Sequence, residues 1–350
     1  MTKNKFAKAW PLAILALAPA AWAQSQLTLY GIIDTNIEYV NHQPKGGNES
    51  ASLLRMSNSG LQGPRVGFRG VEDLGGGLKA IFTLEHGFNS DTGTNADAAK
   101  FFNRGAFVGL QSANHRVTLG RQYTSLFDAL LFIVPLAYAG AYEPFSPLLG
   151  GLRNDNSVKY RFNADALSAQ VHYAFGEQTS STSASAAWGG HFSYANKDLM
   201  ATLAFDQQNG ADVNGAHSRA RKVALGAAYQ FTPAVRLSTG YRWGESKDAA
   251  GGVALRDDFF WLGVNYQATG ALTLNAAYYL DDIKQRAGAG NQPRQQQLTL
   301  QAIYALSKRT DLYGAAAHAK NGGLNFAALS TLAVGSTNQS GVSLGIRHRF

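Results

Sequence analysis

From Gln26 to the end of the chain, apolar and polar positions alternate with a period of two. At the C-terminus Val342, Leu344, Ile346, His348 and Phe350 share one face, while Ser343, Gly345, Arg347 and Arg349 share the other. The same alternation runs through 167–175, 235–243 and 298–306. Successive side chains of an extended strand point to opposite faces. Each stretch therefore reads as a strand with one apolar face and one polar, small or charged face. The apolar faces often end in Tyr, Trp or Phe, as membrane strands do at the lipid–water boundary. A soluble sandwich is the competing reading. Sandwich strands average about 5–6 residues, whereas these approach the ~10 that a tilted membrane strand needs.

The connections alternate in length. Short ones lie near 75–77, 113–114, 163–165, 196–197, 232–233, 269–270 and 307–309. Long ones, rich in Gly, Asn, Asp and Ser, lie near 41–57, 90–103, 126–155, 177–185, 210–219, 247–256, 284–292 and 321–340. Seven short and eight long connections join sixteen strands. The expected fold is all-β: a 16-stranded antiparallel transmembrane barrel with short periplasmic turns and long external loops. A barrel of that size leaves a water-filled lumen. No composition shift divides the chain, so 24–350 is expected to be one domain.

The connection at about 126–155 differs from the others. It reads LFDALLFIVPLAYAGAYEPFSPLLGG over 126–151, too apolar for a solvated loop. Pro135, Pro144 and Pro147 prevent one continuous helix. Folding inward would seat its apolar side on the barrel wall and leave Asp128 and Glu143 facing the water of the pore. An external loop buried against a neighbouring subunit is the alternative.

The N-terminus changes the picture of charge. Lys3, Lys5 and Lys8 precede an apolar run from Ala9 to Ala21, followed by the small-x-small site Ala21-Trp22-Ala23. This is expected to be a secretory signal peptide, residues 1–23, removed before Gln24. An uncleaved anchor is disfavoured because Pro11 and Pro19 interrupt the run. The formal charge of +8 loses those three lysines, and the remaining bases are dispersed, so no nucleic-acid partner is expected. There is no Cys, which rules out disulfides and thiolate metal sites. With 38 Gly, 15 Tyr and 19 Phe at a mean hydropathy of −0.17, the chain suits strands facing lipid on one side and water on the other.

Alternation also places charge. Val66 and Phe68 look outward, so Arg65 and Arg69 look inward; Val158, Tyr160 and Phe162 look outward, so Lys159 and Arg161 look inward. A cation on the lipid face costs about 2–4 kcal/mol at mid-bilayer. Arg121 conflicts: alternation with Val117 and Leu119 turns it outward unless a bulge after Gly120 resets the face.

Several ordered motifs carry a resemblance to a known family. Leu27, Tyr30, Gly31 and Asp34 open the mature chain. They are followed by Arg65-Val66-Gly67-Phe68-Arg69-Gly70, 72–80, Phe82-x-Leu84-Glu85-x-Gly87-Phe88 and Asn103-Arg104. Val108-Gly109-Leu110, 118–123, 155–160 and the terminal Arg347-His348-Arg349-Phe350 complete the set. Together they resemble the Gram-negative general porins, closest to the β-proteobacterial, neisserial-type branch, over the whole mature chain. The resemblance implies a homotrimer whose third loop narrows each pore, with wall arginines at Arg65, Arg121 and Arg153 facing a loop acid at Glu143. The Tyr142-Glu143-Pro144-Phe145 order departs from the family's Pro-Glu-Phe. Phe350 matches the terminal aromatic read by the outer-membrane assembly machinery. Contact with outer-membrane lipid and lipopolysaccharide follows from the location.

The candidate constriction residues are thus Arg65, Arg69, Arg121, Arg153, Lys159, Arg161, Asp128 and Glu143. Bases outnumber acids, so passive diffusion of ions and small hydrophilic solutes with a weak anion preference is expected. An enzyme is disfavoured: Gly-x-Ser-x-Gly and His-Glu-x-x-His are absent and the eight His are scattered. No cofactor or metal is expected. A substrate-specific channel would need an aromatic track, for which only Trp261 and Tyr279 offer themselves; an adhesive or structural barrel is the third alternative.

Overall fold

The structure, a computed structural model, describes residues 25–46, 48–327 and 332–350. The expected signal peptide lies outside the described residues. In chain order the strands are β1 (Gln26–Gly46), β2 (Glu49–Asn58), β3 (Arg65–Gly75), β4 (Leu78–Gly87), β5 (Gly105–Gln111) and β6 (His115–Tyr123). After an interruption come β7 (Arg153–Ala164), β8 (Leu167–Ala174), β9 (Ala187–Ala195), β10 (Leu199–Asn209), β11 (Arg219–Thr232) and β12 (Val235–Lys247). The last are β13 (Val253–Gln267), β14 (Leu272–Arg286), β15 (Gln295–Ala305), β16 (Thr310–Lys320) and β17 (Asn338–Arg349). Each pairs antiparallel with its sequence neighbours, except that β2 and β3 both pair with β1 and not with each other, and β1 pairs with β17 from Ile32↔Arg349 to Val40↔Gly341. The sheet is closed. Closure satisfies every strand edge within the ladder, which the hydrocarbon region demands.

Seventeen segments make sixteen staves, because β2 and β3 are two halves of one. The outer half of β1 pairs with β2 and its inner half with β3. The break at 59–64 is held by Asp34, whose carboxylate accepts from the amides of Gly60 (3.1 Å), Leu61 (2.8 Å) and Gln62 (2.7 Å) and from the Tyr313 hydroxyl (2.5 Å). The first long loop, expected at 41–57, is instead a hairpin: β1 runs on to Gly46 and β2 returns from Glu49, with register shifts at Val40/Gln43 and Pro44/Gly46. The outer part of the hairpin, 41–52, is polar and meets water on both faces, so its composition gives no sign that pairing continues, although Leu54 and Met56 keep an apolar outer face.

The alternation survives intact elsewhere. Large apolar side chains such as Leu29, Ile37, Val108, Leu225, Leu262 and Leu344 are exposed on the outer surface. Their neighbours Asn36, Glu38, Thr118, Gln170, Ser238 and Ser343 are buried toward the lumen. Tyr194, Phe231, Tyr266 and Tyr304 stay exposed at the short-turn rim, the position of a membrane girdle. At the seam, Phe350 exchanges backbone hydrogen bonds with Gly31 (3.0 and 3.1 Å). Its ring occupies the space a Cβ on Gly31 would need.

The connection between β6 and β7 folds into the barrel, over 124–152. It carries two short helices, α1 (Ser125–Leu130) and α2 (Phe145–Leu149). Thr124 caps α1, accepting from the Phe127 amide at 3.2 Å. Leu126, Leu130, Ile133, Val134, Leu148 and Leu149 bury themselves against Ala204, Ala224, Phe259, Trp261, Ala277 and Tyr279 of the inner wall. Gly240 makes room, since a Cβ there would run into the Trp261 ring. The loop's apolar surface is thus buried inside its own barrel.

Candidate functional site

Loop 124–152 covers one side of the lumen, and the opposite wall is basic. Arg104 donates to Glu85 (2.8 Å), Arg65 lies 3.9 Å from the same carboxylate, and the Tyr30 hydroxyl donates to it at 2.9 Å. Arg153 stacks over the Tyr123 ring (4.2 Å), donates to the Tyr123 hydroxyl (2.6 Å) and to the Arg104 carbonyl (2.8 Å). Tyr123 stacks on Phe127 (centroids 3.9 Å apart) and Phe127 on Tyr138 (4.6 Å). An aromatic ladder therefore ties the arginine wall to the loop. The gap between them is lined by Gln62, Arg65, Arg104, Tyr138 and Arg153.

Two of these three guanidinium groups, Arg65 and Arg104, share one carboxylate, and the third, Arg153, has none. A second basic group lies along the same wall. Arg69 sits over the Tyr30 ring (4.9 Å), Arg116 over Phe107 (5.6 Å), and Arg161 reaches only the Ser168 hydroxyl (3.4 Å). Among the described residues none of these three, nor Arg153, has a carboxylate within ion-pair distance. Guanidinium groups keep their charge throughout the accessible pH range, so this wall is a fixed positive surface.

The loop acids do not balance it. Asp128 is bound by Lys159 (2.7 Å) and by Gln170 (2.9 Å). Glu143, expected to face pore water, is instead 1% exposed. It accepts from the Leu136 amide (3.1 Å), the Tyr138 amide (2.5 Å) and the Tyr279 hydroxyl (2.7 Å). Burial pushes its carboxyl up to about 7, against the opposing pull of those donors. These three donors hold the carboxylate back in the loop rather than out in the pore. Further anchors hold the rest: Gln297 and Thr299 both donate to the Tyr142 carbonyl at 2.8 Å, and Ala141 donates to Gly60 at 3.0 Å. Lys222 and Arg242 each donate to the Pro147 carbonyl at 2.8 Å.

Alternation placed Arg65, Arg69, Lys159 and Arg161 correctly, and the structure brings Arg65 and Arg153 together. Arg121 is a correction. No bulge follows Gly120 on β6, whose pairing with β5 is unbroken to Ala106↔Arg121. The extra residue lies on β7, where Gly120↔Ser157 is followed by Gln122↔Asn154. Arg121 stays in step with exposed Leu119 and pairs with Asp155 and the Asn103 carbonyl, apart from the Arg65–Arg104–Arg153 group. Trp261 and Tyr279 do point inward, but beneath the loop, so they form no track for a solute.

Glu85, Arg104, Arg116 and Tyr123 were not singled out from the sequence. Glu85 and Arg116 were readable: they alternate with outward Leu84 and Val117. Arg104 was not. It precedes β5 in step with outward Ala106 and Val108, and reaches the lumen only because the strand begins after it.

The Gram-negative porin family matches residues 11–324. The chain is 34% identical to outer membrane porin protein 32 of Delftia acidovorans, over 97% of this chain and 98% of that protein. It is 31% identical to an outer membrane porin protein of Bordetella pertussis, again over 97% of this chain and 98% of that protein. A solved anion-selective porin from Comamonas acidovorans superposes with a TM-score of 0.82 at 31% identity, covering 93% of this chain and 100% of that one. The trimer form of OmpT from Vibrio cholerae shares the fold at 14% identity, with a TM-score of 0.70 over 93% of this chain and 99% of that one.

Proposed function

This chain belongs to the Gram-negative porin family and forms an outer-membrane channel, and from that premise we propose that it passes small hydrophilic solutes passively with a modest preference for anions. The observation that carries the preference is the imbalance at the constriction. Arg65 and Arg104 share Glu85 and Arg153 beside them has no ion-pair partner among the described residues, while Asp128 and Glu143 are occupied in seating the loop. Rings of Arg favour anions, and counter-ions in a wide aqueous lumen keep the effect moderate. The similar Comamonas protein is described as anion-selective, which supports this reading. Arg69, Arg116 and Arg161 extend the basic track, and Lys159 serves to hold Asp128. Reversal potentials of the reconstituted protein in a salt gradient test the proposal: an anion-directed potential is expected, and a clear cation preference overturns it.

We further propose a homotrimer, with the outer face of β1 and β2 toward the neighbouring subunit. Ile33, Ile37, Tyr39, Leu54 and Met56 are exposed there, while Asp34, Glu38 and Arg55 of the same stretches turn inward to partners. Single-channel records should show closures in three equal steps. The exposed ring of Phe350 at the closing strand is proposed as the signal read during membrane assembly.

A further inference from the structure

The lumen also holds a surface that the constriction does not use. Below loop 124–152, the loop's lower edge and the inner wall border a cavity of about 430 Å³, with Pro233 and Ala234 of a short turn at its rim. Such a volume lies in the range that holds small ligands, about 300–1,000 Å³. Phe132 hangs from the loop into this cavity and is 60% exposed. Its neighbours Leu130, Ile133 and Val134 are buried in seating the loop. The exposed apolar side chains of the strands face lipid, but Phe132 faces pore water. Trp261 and Tyr279 lie under the loop, whereas this ring is open to a solute.

The rest of the lining is rich in amides. Gln62, Gln230, Asn265, Gln267, Asn275 and Gln301 line the cavity, and among the described residues no carboxylate does. Three of them form a ladder: Asn275 donates to Gln301 at 2.9 Å, and Asn265 donates to Asn275 at 2.8 Å and to the Pro135 carbonyl at 2.9 Å. The ladder leaves an acceptor at one end, Asn265 Oδ1, and a donor at the other, Gln301 Nε2, without partners. An unpaired buried polar group is costly. Two cations also line the cavity. Arg347 is held by Asp311 (2.6 Å) and by Gln62 (3.1 Å). Arg236 donates to the Phe132 carbonyl, and no carboxylate of the described residues lies within ion-pair distance of it.

We infer that this cavity is a binding site for a hydroxylated monocarboxylate of the sugar-acid class. Its carboxylate pairs with Arg236, the C–H face of its ring lies on Phe132, and its hydroxyls meet the amides of Asn265, Asn275 and Gln301. Each feature answers a different part of one molecule. Guanidinium groups donate charge-assisted hydrogen bonds to carboxylates. A hydroxyl both donates and accepts, so it suits either end of the amide ladder. A site inside a pore must also release its solute, so binding is weak, at about millimolar concentration. The inference rests on the channel reading and not on the charge imbalance at the constriction.

The test is single-channel recording of the whole protein in a planar bilayer, with glucuronate, glucose or propionate in the bath. Glucose has the ring without the charge, and propionate has the charge without the ring. Glucuronate should interrupt the current saturably, at concentrations about fivefold below those of either control, the scale of one half-exposed ion pair. Arg236→Gln should erase the advantage over glucose. Arg236→Lys should keep it, which leaves the test decisive if the glutamine variant folds poorly. Phe132→Ala should erase the advantage over propionate. Absence of interruption overturns the inference, and so does equal interruption by glucuronate and either control. An advantage that survives Arg236→Gln overturns it as well. If that advantage is lost instead in R65Q/R104Q/R153Q, the solute is held by the constriction arginines. Reversal potentials recorded on the same channels report the constriction separately, so either reading can fail alone.

Discussion

The two sides of the lumen use charge in opposite ways. Under loop 124–152, on β8 and β10 to β14, charge is buried and consumed: Arg242 is fully buried in an ion pair with Asp257 and in a bond to the Pro147 carbonyl. On β3 to β7, Arg65, Arg69, Arg104, Arg116, Arg153 and Arg161 line the open passage with few acids. The same residue type is a structural rivet on one wall and a field source on the other. The difference lies in desolvation. A buried charge must be matched by a partner, whereas a charge facing pore water is hydrated and need not be.

The contrast can be broken from either side. The largest effect is expected from Arg242→Ala, which leaves Asp257 buried without its cation; removing one member of such a pair costs roughly 3–5 kcal/mol. Loss of the heat-modifiable folded species on gels would measure it. Next, the R65Q/R104Q/R153Q variant should fold normally yet lose its anion preference. Reversal potentials should move toward the cation side, and an unchanged value would mean that the field arises elsewhere.

A pH effect should follow on the covered side. The Glu143 carboxyl is raised from 4.5 to about 7 by burial, so the seated loop holds a proton that an unseated loop releases. Stability is full below about 4.5 and falls as pH rises through 7, by an amount on the order of 1–3 kcal/mol. The unfolding midpoint of the wild type should drop between pH 5 and pH 8 more than that of Glu143→Gln. The smallest effect is expected from Asp128→Asn. Because Lys159 already neutralises Asp128, selectivity should rise only slightly toward anions. A large shift would show that Asp128 faces the passage after all.

The alternation of period two determined the barrel, its inward and outward faces and the inward aim of Arg65, Arg69, Lys159 and Arg161. It did so because the lipid–water contrast acts locally on every strand residue. The apolar composition of loop 124–152 likewise determined that it would fold inward. Three things were decided only in three dimensions. The first loop's continuation as a hairpin was hidden because water on both sides erases the pattern. Arg104 reaches the lumen only because β5 begins after it, and Arg121 keeps the outward parity of Leu119 because the extra residue of the bulge lies on β7 and not on β6. Glu143 was drawn into the loop by backbone amides and by Tyr279, 136 residues further along the chain. Such hydrogen bonds join groups distant in sequence, and no local pattern of hydrophobic and polar positions records them.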